Sequence, residues 1–385
     1  MVATGLILSA FLVAQAAPPR QAAPARPAAP PQSDVTALAL GWSAVGARQY
    51  DEAVKAADGI LRRRPWDRAA QVLKIQAASG ASASRGLDAY EEWLQRVHAE
   101  DAAMLEPVAI AVLQELANGS RRELQRPALR ALVAARVSGA RESLDAAKTD
   151  VETQMDLDVQ AARAGDRTAL ENLQTQARAP MAPPSLAKAF AELGASAGEP
   201  GLLLLARSTN PRARQAAVDA LGGIKTESAR AAAAQLQKDA DPGVRTSATI
   251  ALARMEDPAA LDAVDRMLAT NIPDVQILAA RAFEGRPGAW VSAIRPLLDN
   301  RDGLTRLDAA RAIAPVDPDA ARQTLDAALG DPNPVVRADA ATSLEEIAAF
   351  LPAGNSIATL RQRLRDTDPA VRLAVAGALL RLARQ

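Results

Sequence analysis

Few residues in this sequence have the types and spacing that catalysis requires. The chain has no cysteine, and His98 is its only histidine, which excludes thiolate nucleophiles, cysteine-ligated metals and two-histidine mechanisms. Ser185 and Lys188 have the Ser-x-x-Lys spacing of certain acyl-transfer enzymes, but the companion motifs of those enzymes are absent from the sequence. The acidic turn Asp239-x-Asp241 lacks the further oxygen ligands of a calcium loop. We therefore predict no catalytic, metal-binding or cofactor-binding residues.

The composition favours a helical fold. Of the 385 residues, 49% are hydrophobic but only 3% are aromatic, so the core must consist largely of Ala, Leu and Val. Small residues with high helix propensity at this density are typical of closely packed helices rather than of a β-sandwich. Lys plus Arg and Asp plus Glu both number 45, and this balance gives no electrostatic reason to expect a nucleic acid as partner.

The N-terminal segment has the features of an export signal. Leu6–Val13 form a short apolar run, and a small-x-small triplet that ends at Ala16 follows it, as at signal-peptide cleavage sites. The usual basic start is missing, since the first basic residue is Arg20. Residues 17–33 form an Ala/Pro linker that disfavours helix. We predict a signal peptide at 1–16, cleavage after Ala16, and a periplasmic or secreted protein without a membrane span after cleavage.

Residues 34–100 are predicted to form helical hairpins. Gly41, Ala53 and Pro65 follow each other at intervals of 12 residues, and they match small positions and the terminating Pro of a tetratricopeptide repeat (TPR). The region therefore resembles TPR hairpins. Its aromatic side chains could line a peptide-binding groove or fill the core between helices; they are Trp42, Tyr50, Trp66, Tyr90 and Trp93.

Residues 101–179 are predicted to be helical but irregular. Apolar residues recur at i, i+3 and i+4 in Met104–Leu116 and in Leu129–Val137. Asp156–Arg178 supplies another helix pair. We interpret this region as degenerate copies of the unit that follows it.

Residues 180–385 contain a repeated unit. Six segments share a pattern whose fullest form is Asp-Pro-x-Val-Arg, and their second residues are 211, 242, 273, 303, 334 and 369. Asp or Asn before Pro caps a helix at a position where the missing N–H costs nothing. Each predicted helix carries a small-then-large pair such as Ala251-Leu252, and a second helix follows before the next segment. One helix pair cannot bury its apolar face, so neighbouring pairs must stack into an all-α solenoid of antiparallel helix pairs.

This pattern, most clearly at 241–252, 333–344 and 368–379, resembles HEAT repeats of the short phycobilisome-lyase type. The resemblance implies a HEAT-like solenoid over 180–385, with a concave face that is lined by the second helices. In that family, turn aspartates and helix arginines of successive repeats form a hydrogen-bonded ladder. Carried over, the ladder positions are Asp241, Asp302, Asp368, Arg214, Arg245, Arg306, Arg337 and Arg372.

Three positions depart from the family's pattern. Ile272 stands in place of the turn acid, Gln276 in place of the arginine, and Gly303 in place of the proline. We therefore expect the ladder to be weaker around the third and fourth units.

The resemblance implies a binding role, because extended curved surfaces are what such repeats use for recognition. We predict an exported, monomeric, non-catalytic scaffold that binds a protein or peptide through its concave face. One alternative is an assembly factor or regulatory subunit of an exported enzyme, which would dock a peptide at the TPR-like end. Another is a lyase-like enzyme, as some members of the family are, but this sequence offers no catalytic set for it.

Overall fold

The computed structural model describes residues 32–140, 143, 151–283, 286–351 and 356–383. These residues form 21 α-helices and three short 3-10 helices, without a strand among them. The all-α solenoid predicted from the sequence is therefore confirmed. The predicted signal peptide and all but the last two residues of the Ala/Pro linker lie outside the described residues.

Six helices form the N-terminal region: α1 (Gln32–Gly46), α2 (Tyr50–Arg63), α3 (Arg68–Ala81), α4 (Ala83–Val97), α5 (Ala102–Ala117) and α6 (Arg122–Ala134). Small residues allow these helices to pack closely. A Cβ atom added at Gly41 would collide with the side chain of Leu73 on α3, and Ala53 of α2 is fully buried. The small positions of the TPR-like pattern thus lie at helix–helix contacts.

Two helix pairs precede the regular repeats: α7 (Val151–Arg163) with α8 (Arg167–Ala177), and α9 (Ser185–Glu192) with α10 (Gly194–Leu205). Each regular repeat then begins with a first helix: α11 (Pro211–Ile224), α13 (Pro242–Arg254), α15 (Pro273–Ala280), α17 (Gly303–Ile313), α19 (Pro334–Glu346) and α21 (Pro369–Leu382). Second helices alternate with them: α12 (Glu227–Leu236), α14 (Pro258–Leu268), α16 (Trp290–Ile294), α18 (Pro318–Ala328) and α20 (Ile357–Arg363). The 3-10 helices are 281–283, 295–299 and 348–350.

The two kinds of helix lie on opposite sides of the stack. First helices of successive repeats pack directly against each other, except that α13 meets the third repeat chiefly through residues 281–283. Second helices of neighbouring repeats barely meet. Because layers are closest on the inside of a curved stack, the first helices form the concave side, which we call the inner face. The resemblance had implied the second helices for this side.

The N-terminal region packs onto the far end of the solenoid. Helices α5 and α6 contact α21, the first helix of the last repeat. One continuous apolar core joins residues of α3–α6 with residues of α15–α21, and a separate core spans α7–α15. A terminal repeat of a solenoid needs a cover for its apolar face, and the N-terminal helices supply it.

This arrangement bends the solenoid strongly. The chain between residues 140 and 151 can span at most about 40 Å when fully extended. The layers from α7 to α21, together with the covering helices, would extend over roughly 70 Å at the usual interaxial distance of helices. The stack must therefore bend through about half a turn or more, and the inner face is deeply concave.

Candidate protein-binding surface

Two arginines form complete rungs between successive repeats. Arg214 donates from Nε and Nη2 to both carboxylate oxygens of Asp239, at 2.8 and 2.7 Å. Arg337 binds both oxygens of Asp366 in the same way, each at 2.8 Å. The remaining nitrogen of each, Nη1, donates to a backbone carbonyl of the arginine's own turn, at 2.8 and 2.9 Å. Each guanidinium therefore ties its own turn to the turn of the next repeat.

The contacts of the other predicted ladder arginines depend on which residue the next repeat has at the position of the rung carboxylate. Arg306 makes a single bond of 2.9 Å to Asp331. The side chains of Arg245 and Arg372 donate to carbonyls of their own turns, and no carboxylate among the described residues binds them. Arg372 belongs to the last repeat, whereas the residue that Arg245 would meet in the next turn is Thr270.

The predicted aspartates have a different role from the one that the resemblance implied. Asp241, Asp302 and Asp368 accept hydrogen bonds from backbone N–H groups in the first turn of their own helices, at 3.1, 2.8 and 2.7 Å. A carboxylate turned back onto its own helix is not directed at the arginine of the preceding repeat. The carboxylates of the rungs are instead Asp239, Asp331 and Asp366.

The rung carboxylates are stabilised in their charged form. The hydrogen bonds from Arg214 hold the pKa of Asp239 below its ordinary value, against the opposing effect of burial. Burial by itself would raise the pKa of Asp366, but the bonds from Arg337 and from the backbone of Asp368 outweigh it, so this pKa is lowered too. The backbone N–H groups of the N-cap residues thus support the rung carboxylates two positions earlier.

The rungs are interrupted in the third repeat, the region where the sequence predicts a weaker ladder. Thr270 replaces the acid, and its hydroxyl donates to the carbonyl of Met267 at 2.8 Å. Gln276 replaces the arginine and donates to the carbonyl of Leu268 at 3.1 Å. The first helix of this repeat, α15, is only 8 residues long. This repeat therefore has no arginine–carboxylate rung at the positions of Thr270 and Gln276.

Beside this interruption lies a pocket of about 710 Å³ on the inner face. Its walls come from α15, α17, α19 and the short helix that follows α19. Ile277, Ala312 and Pro315 supply apolar lining. Phe350 also lines the pocket and keeps 47% of its surface exposed. A large apolar side chain left this exposed is a candidate anchor for a partner.

Arg311 organises the charged part of this pocket. Its guanidinium donates to Asp308 at 2.6 Å, to both oxygens of Asp339 at 3.2 Å each, and to the hydroxyl of Ser343. Burial would lower the pKa of Arg311, but these carboxylates raise it further above neutrality. Arg281, on the same pocket, is exposed and pairs with no described carboxylate. The pocket therefore offers a fixed ionic network, an exposed guanidinium and an exposed aromatic ring.

The aromatic residues of the N-terminal region divide between core and surface. Tyr90 and Trp93 are buried and their ring centroids lie 5.2 Å apart, so they fill the core. Trp42 and Trp66 remain 42% and 69% exposed. The core interpretation is therefore confirmed for Tyr90 and Trp93, and the peptide-binding groove stays a prediction.

The buried Trp290 and the single histidine, His98, have structural roles. Trp290 is buried, stacks on Phe283 at 6.5 Å, and donates from its ring nitrogen to the carbonyl of Arg286. His98 is exposed and ends α4 in the left-handed conformation, with φ 54°. Neither side chain contacts a group with which it could perform acid–base chemistry among the described residues.

The sequence did not reveal the pocket at Phe350 or the packing of the N-terminal helices onto α21. Phe350 lies outside the repeated pattern, which is why periodicity passed over it. A charge pattern could have suggested the packing, since acidic residues of α4 pair with Arg361 near the end of α20 and with Arg365 just after it. Within the described residues, no cluster of three acidic or histidine side chains could hold a metal ion, and no helix is long and apolar enough to cross a membrane.

The solved structures that resemble this chain do so distantly. No curated protein matches the chain. Human deoxyhypusine hydroxylase in complex with glycerol is 17% identical, with a TM-score of 0.32, over 57% of this chain and 97% of its own. Two engineered proteins are each 21% identical, with TM-scores of 0.22 and 0.25, over 66% and 91% of this chain and 96% and 94% of theirs. Likeness at these TM-scores carries no argument about function.

The family comparison covers the centre of the solenoid. Residues 199–284 match the family model of HEAT repeats. The matched range contains the two regular repeats that begin with α11 and α13, and it ends just after the interrupted third repeat begins. The chain therefore contains HEAT repeats within an all-helical repeat architecture.

Proposed function

We propose that this protein is an exported, non-catalytic scaffold that holds a protein partner against the inner face of its HEAT-like repeats. The pocket with the exposed ring of Phe350 carries the proposal. Aromatic anchors in concave surfaces contribute much of the binding energy at protein interfaces. A strongly bent stack also offers a partner contacts with several repeats at once.

Site-specific photo-crosslinking tests the inner face. A photoreactive phenylalanine derivative would replace Phe350, and in a matched protein it would replace Gln323, which is exposed on the outer helix α18. After irradiation in the extracytoplasmic fraction of the source cells, we expect a discrete crosslinked partner from position 350 and none from position 323. The same species from both positions, or none from either, would contradict the proposal.

Export is part of this proposal and is supported by the sequence of residues 1–16. The intact mass of the protein recovered outside the cytoplasm should correspond to a chain that starts at Ala17. Replacing Leu8 and Leu12 together with arginine should keep the protein inside the cell, because charge in the apolar run prevents signal recognition. Recovery of the full-length chain in the cytoplasm alone would argue against export.

An assembly factor or regulatory subunit that docks a peptide at its N-terminal hairpins is the second candidate. The exposure of Trp42 and Trp66 favours it. Deleting residues 35–100 would not separate the candidates, because it removes α3 and α4, against which the covering helix α5 packs. The pair W42A/W66A and the variant F350A separate the two candidates: the scaffold predicts partner loss only in F350A, the helper only in W42A/W66A.

A further inference from the structure

The pocket at Phe350 carries an excess of negative charge on the side that α17 and α19 form. Asp308 belongs to α17, and Asp339 and Glu346 belong to α19. The guanidinium of Arg311 is the cation that these carboxylates share, since it donates to Asp308 and Asp339. Its Nε atom lies 3.9 Å from a carboxylate oxygen of Glu346. One positive and three negative side chains leave this side of the pocket with a surplus of two negative charges.

Glu346 is the least compensated of the three carboxylates. Its distance of 3.9 Å from Arg311 exceeds that of a hydrogen bond, and its side chain is 56% exposed. It is also the last residue of α19, where the partial negative charge of the helix C-terminus disfavours an acidic side chain. The charge of Glu346 therefore does not stabilise its own helix, and a cation from another molecule would stabilise this charge.

The exposed ring of Phe350 attracts the same kind of ligand. Phe350 lies in the 3-10 helix 348–350 that follows α19, four residues after Glu346, and both side chains line the pocket. The face of an aromatic ring carries partial negative charge and attracts a cation that lies within about 6 Å of the ring centre. A carboxylate and a ring that border one pocket from neighbouring positions therefore favour a positively charged group.

Arg281 lies on the other side of the pocket and does not cancel this charge. It follows α15 directly, and α17 packs between α15 and α19. At the usual interaxial distance of helices, the axes of α15 and α19 are roughly 16–20 Å apart. This separation is about twice the Debye length at physiological salt. The pocket is thus positive towards α15 and negative towards α19.

We infer that the pocket takes an arginine side chain of the partner, stacked on the ring of Phe350 and paired at its edge with the carboxylate of Glu346. A guanidinium can make both contacts at once, because its planar faces stack on aromatic rings while the N–H groups at its edge donate to carboxylates. Its aliphatic stem would pack on the apolar lining that Ala312 and Pro315 supply. This inference rests on the proposed function and names the chemistry that the inner face recognises.

Fluorine NMR with a small probe tests the site in the full-length protein. The chain has four phenylalanines; when 4-fluorophenylalanine replaces them, the resonance of position 350 is the one that F350L lacks. The probe is N-acetyl-arginine methylamide, whose only charge is the guanidinium. Its control is N-acetyl-citrulline methylamide, which is neutral and has nearly the same shape. We expect the arginine compound to shift this resonance saturably at millimolar concentration, and the citrulline compound to bind at least about fivefold more weakly.

Equal binding of the two compounds, or no shift with either, would overturn the inference. The corresponding lysine and glutamate compounds complete the series. Tighter binding of the lysine compound would overturn the assignment to arginine, because stacking on the ring would then bring no advantage. Tighter binding of the glutamate compound would show that Arg281 determines the preference of the pocket, and would overturn the inference as well.

Two variants locate the binding. E346Q should bind the arginine compound roughly fivefold more weakly. E227Q removes an exposed glutamate from the outer helix α12 and should bind the compound unchanged. Because Glu346 is exposed and its contact with Arg311 is long, E346Q should fold normally, and its urea unfolding curve checks this. Unchanged binding by E346Q would contradict the inference.

Photo-crosslinking from position 350 separates this inference from the proposed function. If a partner inserts an arginine here, the yield of the crosslinked species should fall several-fold in E346Q and stay the same in E227Q. A yield that does not change in E346Q would contradict the arginine and leave the scaffold in place. Binding of the arginine compound without any crosslinked partner would contradict the scaffold and support the preference of the pocket.

Discussion

Arg361 donates from Nε to the Oε1 atom of Glu100 at 3.1 Å, although 261 residues separate the two in the chain. Its Nη1 atom donates to Glu91 at the same distance. Glu100 is fixed on its other side by the hydroxyl of Tyr90, whose own pKa is raised by burial. These contacts join α4 and the start of α5 to the last repeats, and they lie beside the apolar packing of α5 on α21.

R361A should therefore destabilise the packing of the N-terminal helices on the solenoid. The side chain is only 14% exposed. Its loss leaves Glu100 with the hydroxyl of Tyr90 and Glu91 with Arg365 as their remaining partners, at an expected cost of about 2 kcal/mol in the free energy of unfolding. Urea unfolding measures this cost, and hydrogen exchange should rise in α4 and α21 together.

R295A provides the control for this variant. Arg295 also pairs with an aspartate of another helix, Asp317, but it is 58% exposed. We expect a change of less than about 0.5 kcal/mol. An equal loss of stability in the two variants would show that the buried contact contributes no more to the free energy of unfolding than the exposed one.

Asp→Asn substitutions distinguish a carboxylate that forms a rung from one that caps a helix. D239N should cost about 1–2 kcal/mol, because Arg214 loses its charged acceptor in a largely buried pair. D241N should cost less than about 0.5 kcal/mol, because Asn caps a helix about as well as Asp. Thermal or urea unfolding of the two variants measures these costs. A larger cost for D241N than for D239N would favour Asp241 as the ladder acid, as the family resemblance implied.

An acid at position 270 should complete the missing rung. Residue 270 follows Asp239 by one repeat, and Arg245 has no carboxylate partner among the described residues. T270D should stabilise the protein by about 0.5–1 kcal/mol and slow hydrogen exchange around residues 270–283. T270N is the control, since it adds a similar side chain without charge. A stability gain in both variants would show that charge pairing is not the cause.

Acid should weaken the rungs. The folded pKa values of Asp239 and Asp366 lie below their ordinary values, so the unfolded chain binds protons more readily. Their contribution is complete above the unfolded pKa of about 3.9 and is lost as pH falls through the lower folded values. The stability difference between the natural protein and D239N/D366N should therefore be constant near neutrality and shrink below about pH 4. A difference that does not change with pH would argue against the ionic rungs.

The repeated pattern predicted the solenoid well because it reports local requirements. A cap before Pro and a small-large pair within the helix fix where each first helix begins and which face it buries. The same pattern placed the rung acid two residues too late, because Asp239 and Asp241 are equally acidic and only the backbone geometry shows which one turns outward.

The sequence could not predict which surfaces are brought together over long distances. The pairing of Arg361 with Glu100 depends on the total bend of the stack, a sum of small rotations between repeats that no single motif encodes. The pocket at Phe350 likewise combines residues from the third, fourth and fifth regular repeats, and the repeat pattern does not indicate which side chains meet there.

The packing of the N-terminal helices on the last repeat also determines when the apolar core can be completed during synthesis. Helices α3–α6 are synthesised first, yet the α21 surface that they cover emerges only after some 250 further residues. Until then α3–α6 present an apolar face without its final partner. Contacts between residues so distant in the sequence form slowly. A chain that crosses a membrane N-terminus first would complete its core only when the last helix arrives, so truncation near the C-terminus should leave the beginning of the protein, rather than its end, most open to proteases.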